Sequence, residues 1–118
     1  MIPSWQRIND EECRRATGSL ELIGRRWSSG ILLAVGRGAH RFREILQSVE
    51  GLSDRLLTVR LRELEYAELI ERIVVPSTPV LVRYELTERG RDLLDSIQPL
   101  IDYGQRWEHA PEERSAVS

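Results

Sequence analysis

Apolar residues recur at spacings of three and four along most of this chain, and two runs between residues 69 and 86 break that rhythm. From Asp10 to Val35 the residues Leu20, Ile23, Trp27, Ile31 and Val35 keep the helical spacing, which predicts helix with a break near Gly18 or Gly24. The stretch "GRGAHRF" carries two glycines and reads as a turn; after it Phe42, Ile45, Leu46 and Val49 share one face of a short second helix. Gly51 stops that helix, and Ser53 is a good N-cap for a third one reaching about Leu64. "LIERIVV" and "VLVRYEL", rich in β-branched and large apolar residues, flank "PSTP" and predict a β-hairpin with Pro76 and Pro79 at its tip. Thr87 can cap a last helix in which Leu93, Ile97, Leu100, Gly104 and Trp107 form one stripe, widened by Leu94 and Ile101. That stripe is too apolar for a solvated helix. Pro99 is expected to kink it, and residues 108–118 to form a mobile polar tail.

Three helices, the third opening on serine, followed by a two-stranded hairpin, give the element order of a winged helix-turn-helix domain, α+β and mainly α. The length of 118 residues suits one such domain. In that architecture the third helix enters the major groove, and the hairpin, or wing, reaches an adjacent groove or the backbone. Turning "LSDRLLTVRLRELE" (52–65) by about 100° per residue puts Leu57, Leu61 and Leu64 on one face, with Leu56 at its edge. Arg55, Thr58, Val59 and Arg62 fall opposite, joined at the N-terminal end by Ser53 and Asp54. Arginine and small polar groups there suit base edges and phosphates. Arg60 lies inside the leucine arc and is expected to snorkel or to pair with Glu63 or Glu65. Arg41 and Arg43 open the second helix, where amide groups and the helix dipole also favour phosphate, and Arg37 and His40 border them. In the hairpin, alternation sends Val82, Tyr84 and Leu86 to one face and Leu81, Arg83 and Glu85 to the other. Arg83 is the wing candidate, with Ser77 and Thr78 as weaker contacts at the tip.

Composition alters this picture little. The formal net charge of -2 does not announce nucleic-acid binding, so the case rests on where the arginines lie. All 17 positive charges are arginine, whose planar fork suits phosphates and guanine edges. No apolar run approaches the roughly 18 residues that span a bilayer, and the start lacks the pattern of a secretory signal, so a cytoplasmic protein is expected. One cysteine, Cys13, cannot form an intrachain disulfide. His40, His109 and Cys13 have no zinc-binding spacing, and no catalytic or nucleotide-binding signature is present. Neither a metal, nor a cofactor, nor an enzyme is expected.

"LIGRRW" (22–27), "RFREI" (41–45), the stretch 52–65, "PSTPV" (76–80) and "YELTERG" (84–90) together resemble the HxlR family of MarR-like bacterial winged-helix regulators. The resemblance implies a homodimeric DNA-binding transcription factor, often a repressor, that pairs through terminal helices, here about 10–24 and 88–107, and binds a palindromic operator. Trp5, Leu93, Ile97, Leu100, Ile101 and Trp107 are the residues expected at that dimer contact. Asp54 and Val59 stand where Gln and a polar residue are frequent in the family, which bears on the operator sequence. Some members sense quinones, hypochlorite or other electrophiles through one cysteine placed like Cys13, although the usual following proline is Arg14 here. Arg14 and Arg15 attract a thiolate at Cys13, whereas Asp10, Glu11 and Glu12 repel one. Two alternatives stay open: a winged-helix module for protein contacts, and a regulator controlled by a noncovalent aromatic or lipid ligand held between subunits. Trp27 is expected in the core, and Trp5 and Trp107 at the dimer contact or lining a ligand pocket.

Overall fold

The N-terminal stretch divides at Gly24, and Gly18 stays inside a helix. In the computed structural model, which describes residues 3–108, a short 3-10 turn Ser4–Arg7 precedes α1 (Asp10–Gly24), and a three-residue joint leads to α2 (Ser28–Gly36). Next come α3 (Phe42–Ser48), α4 (Asp54–Tyr66), β1 (Ile70–Val75), β2 (Leu81–Leu86) and α5 (Glu88–Trp107). The Ser53-capped helix is therefore the fourth in the chain. The expected tail falls, apart from Glu108, outside the described residues, as does His109.

Local chemistry explains the boundaries. Asn9, Ser53 and Thr87 accept hydrogen bonds from the backbone N–H of Glu12, Leu56 and Gly90 and so cap α1, α4 and α5. At the end of α4, Glu68 takes a left-handed φ of 62°. The Leu69 and Glu68 amides there donate back to the carbonyls of Leu64 and Glu65, the double bond of a Schellman stop. The strands pair antiparallel with Ile70 opposite Leu86 and Val75 opposite Leu81, leaving 76–80 as the hairpin tip. α5 runs on through Pro99 without ending.

Ile31, Leu32, Ile45, Leu57, Leu64 and Ile70 are fully buried and join α2, α3, α4 and the start of β1 in one core. Each such side chain contributes about 1.5–3 kcal/mol by leaving water. Tyr84 and Leu86 from the wing and Leu93 and Leu94 from α5 pack against it. The helix-turn-helix unit and the wing are also tied by backbone: the Tyr84 N–H donates to the His40 carbonyl at 2.7 Å, and His40 Nδ1 donates to the Tyr84 carbonyl at 3.0 Å. His40 thus serves the scaffold.

The apolar stripe of α5 divides in two. Leu93 and Leu94 are half-buried and Ile97 is buried within the chain, whereas Leu100, Ile101, Tyr103 and Trp107 are exposed. α1 contributes no buried residue: Leu20 on it is exposed, as are Trp5 and Ile8 ahead of it. Between α1, α2 and α5 lies an apolar cleft of about 520 Å³, lined by Leu20, Ile23, Leu33, Leu94, Ile97, Leu100 and Ile101.

Candidate nucleic-acid interface

α4 presents two chemically distinct sides. Leu57, Leu61 and Leu64 are buried, while Ser53, Asp54, Arg55, Val59 and Arg62 are exposed on the other side with Thr58 half-buried. Among the described residues neither Arg55 nor Arg62 has an ion pair, so both guanidinium forks are open to an outside acceptor. Arg60 differs, as its place in the leucine arc implied. Only 17% of its side chain is exposed, its Nη1 meets Glu63 Oε1 at 2.8 Å, and its Nε donates to the Arg26 carbonyl at 3.0 Å.

Two polar groups on the reading side are partly committed. The Thr58 hydroxyl donates to the Asp54 carbonyl at 2.9 Å, which leaves its methyl and lone pairs, but not its proton, for a partner. Ser53 Oγ accepts from the Leu56 amide at 3.1 Å, and its hydroxyl proton remains free to reach a phosphate. Val59, 41% exposed, is an apolar group on the same side of α4 as Arg55 and Arg62, of a kind that suits a thymine methyl.

At the start of α3 the picture changes. The Glu44 carboxylate already accepts from the Arg41 and His40 amides at 2.9 and 3.1 Å, so these N–H groups are not open to phosphate as the sequence suggested. The Arg41 and Arg43 side chains are exposed and without an ion pair among the described residues. The two amide bonds, joined by the nearby charges of Arg41 and His40, hold the Glu44 carboxyl below the usual glutamate range. This stabilisation is complete above the unfolded-state value of about 4.3 and is lost as pH falls through the lower folded value. The stability gap between wild type and Glu44→Gln in urea titrations is expected to narrow between pH 7 and 3. An unchanged gap would mean that the carboxylate does not carry the cap.

On the wing, Arg83 does not stand free: its Nη2 lies 3.0 Å from Glu85 Oε1, two residues along the same strand face. Arg72 on β1 is exposed and unpaired among the described residues, and it lies opposite Tyr84 in the ladder. Counting the register outward from "PSTP" would have located it. Ser77 Oγ donates to the Pro79 carbonyl at 2.7 Å, which holds the tip closed on itself; Thr78 beside it is exposed.

Cys13 is exposed in the first turns of α1. Arg15, one of its basic neighbours, is held by Glu11 at 2.7 Å. Arg14 has no ion pair among the described residues. Of the residues expected at a dimer contact, Trp5, Leu100, Ile101 and Trp107 are exposed, whereas Leu93 and Ile97 already pack within their own chain. The break expected near Gly24 is the joint Arg25–Trp27, but nothing in the sequence signals the backbone that Trp27 adopts there. Trp27 adopts a left-handed φ of 79°, a conformation that costs a bulky residue about 1–3 kcal/mol and persists only when its surroundings fix it. The Arg26 guanidinium sits 4.7 Å from the indole centroid, and the indole packs against the core as expected.

This arrangement has close relatives. The regulator YodB of Bacillus subtilis is 37% identical over 95 residues, covering 80% of this chain and 81% of that protein. The quinone-bound crystal structure of YodB superposes with a TM-score of 0.70 at 32% identity, covering 80% of this chain and all of that one. The redox regulator HypR in its oxidized form gives a TM-score of 0.72 at 29% identity, covering 81% of this chain and 99% of that one. Residues 22–112 match the HxlR-like helix-turn-helix profile, and the chain belongs to that family.

Proposed function

We propose that this protein is a homodimeric, sequence-specific DNA-binding transcriptional regulator, a repressor acting in the cytoplasm on a palindromic operator. The observation that carries this reading is the exposed side of α4, where Arg55 and Arg62 stand unpaired beside Val59 and Thr58 while Arg60 is tied into the scaffold. Ser53, Arg55, Thr58, Val59 and Arg62 then meet the major groove, and Arg41 and Arg43 hold phosphates. Arg83 supplies the wing after exchanging Glu85 for a phosphate, whereas Arg72, paired with Tyr84 in the ladder, projects from the opposite face of the hairpin. The exposed apolar residues of α1 and α5 support pairing of two chains, because a stable monomer rarely leaves so many large apolar groups in water. A two-fold dimer would set its recognition helices about 34 Å apart to read successive major grooves.

Cys13 is the proposed sensor, in keeping with the redox and quinone states of HypR and YodB. Two Cys13 thiols from paired chains would each lose a proton and together give two electrons to a thiol oxidant, forming one intersubunit S–S bond; a quinone would instead add one thiol covalently. Either change at α1 would turn the recognition helices out of register. The apolar cleft favours a second means of control, a noncovalent aromatic ligand seated between α1 and α5.

A duplex-shift titration on DNA from the protein's own upstream region, with and without a thiol oxidant, tests both levels. Tight, salt-sensitive binding that is lost on oxidation in wild type but kept by Cys13→Ser is the expected result. Binding indifferent to oxidant in both proteins would overturn Cys13 as sensor. Absence of binding to any duplex in a wider operator search would overturn the regulator.

A further inference from the structure

The joint between α1 and α2 grips α4 at two points. At the entrance to α4, the Trp27 indole lies against Gly51 so closely that a Cβ there would stand 3.2 Å from Trp27 Cη2. Gly51, with φ at 84°, precedes the Ser53 cap by two residues. At mid-helix, Arg60 Nε holds the Arg26 carbonyl, Arg60 Nη1 holds one oxygen of Glu63, and Arg25 from the end of α1 holds the other. Glu63 is thus a two-armed acceptor, with one arm on its own helix and one on the joint.

We infer that Glu63 is a positioning residue, which through Arg25 and Arg60 locks the recognition helix to the end of α1 so that the setting of α1 fixes the angle of the reading face. The inference rests on the DNA-binding reading above and adds the physical link between the helix bearing Cys13 and the helix bearing Arg55 and Arg62. An isolated surface pair such as Arg25 with Glu63 would count for little. Here the same carboxylate also neutralises Arg60, whose side chain is only 17% exposed, so loss of Glu63 leaves a half-buried guanidinium with one remaining acceptor. Coupling through such a contact requires a rigid attachment at both ends. The fixed Trp27 backbone and the Gly51 contact supply the second attachment.

Two arms test it. In the first, Glu63→Gln and Arg25→Met are each expected to weaken operator binding about five- to tenfold, the lower range of inter-site coupling, with affinity for scrambled DNA and the salt slope unchanged. The double variant should be no weaker than Glu63→Gln alone, since both remove one link. In the second, spin labels are placed at Ser19→Cys and Glu65→Cys, both exposed, in a Cys13→Ser background diluted with unlabelled protein to isolate intrachain pairs. The expected result is a single narrow distance for the parent and a broadened distribution for each variant. Because Arg25 lies more than half exposed, Arg25→Met tests the link without disturbing the core. Superimposable distributions in both variants would overturn the inference, as would a fall in thermal midpoint with the ratio of operator to scrambled affinity intact. The distance arm decides the coupling even if no duplex is shifted, an outcome that would count against the regulator reading alone.

Discussion

Arg55→Ala is expected to weaken operator binding by about 1–3 kcal/mol, roughly five- to more than a hundredfold, while leaving the fold intact. The side chain is exposed and makes no ion pair among the described residues, so its removal breaks nothing inside the protein. It sits one residue inside the N-terminus of α4, the end that points into the major groove in helix-turn-helix domains. A guanidinium there can meet the O6 and N7 acceptors of guanine in a bidentate fork, which a shorter or neutral side chain cannot replace. Titration of wild type and variant on the operator and on a scrambled duplex separates the two jobs an arginine can do. Loss confined to the operator identifies a base reader. Equal loss on both, with the salt slope reduced by about one, identifies a phosphate contact instead. Equal affinity before and after substitution would remove Arg55 from the interface. Arg60→Ala provides the contrast, because its bonds to Glu63 and the Arg26 carbonyl make its loss a matter of stability and helix setting.

Why Arg55 and Arg60 can be told apart from sequence is instructive. Both lie on one helix whose leucines mark the buried side, and a periodic signal of that kind is local, so burial follows from position alone. The caps at Ser53 and Thr87 and the hairpin around 76–80 are legible for the same reason: each is settled within a few residues of chain. The left-handed backbone of Trp27 is not, although Gly24 marks the break beside it. Its aromatic ring continues the helical spacing from Ile23 to Ile31, and only the tertiary contacts with Gly51, Arg26 and the core reveal that its backbone leaves the helix. Glu44 likewise has no serine or threonine cap before it to announce that it bonds the amides of His40 and Arg41. The stripe on α5 shows a further limit. Periodicity says that Leu93, Ile97, Leu100 and Trp107 share a side, but not whose core covers each of them. The chain's own core covers Ile97 and leaves Trp107 exposed.

Gly90→Ala is expected to destabilise the protein by about 3 kcal/mol or more, lowering its thermal midpoint by upwards of about 10 °C. A Cβ at Gly90 would lie 2.0 Å from the Leu69 carbonyl oxygen and 3.0 Å from its carbon. That backbone cannot give way cheaply. The Leu69 carbonyl accepts from the Thr87 amide at 3.1 Å, the Leu69 amide closes α4 on Leu64, and Thr87 Oγ1 both donates to Glu68 at 2.6 Å and caps α5. Relieving the overlap therefore means pulling α5 from the end of α4, with Leu93 and Leu94 drawn out of the core. The magnitude opposes intrinsic propensity, since alanine in an unobstructed helix is better than glycine by about 1 kcal/mol. Gly104→Ala on the same helix measures that propensity, because among the described residues nothing apart from the helix's own adjoining backbone comes within 4 Å of the added methyl. Urea unfolding of wild type and both variants at matched protein concentrations, repeated over a concentration series, gives the comparison. Stabilisation by Gly104→Ala beside collapse of Gly90→Ala would confirm that the α4–α5 contact sets the cost. Destabilisation by Gly104→Ala that deepens with protein concentration would instead place a second chain against α5, where Leu100 and Trp107 lie exposed.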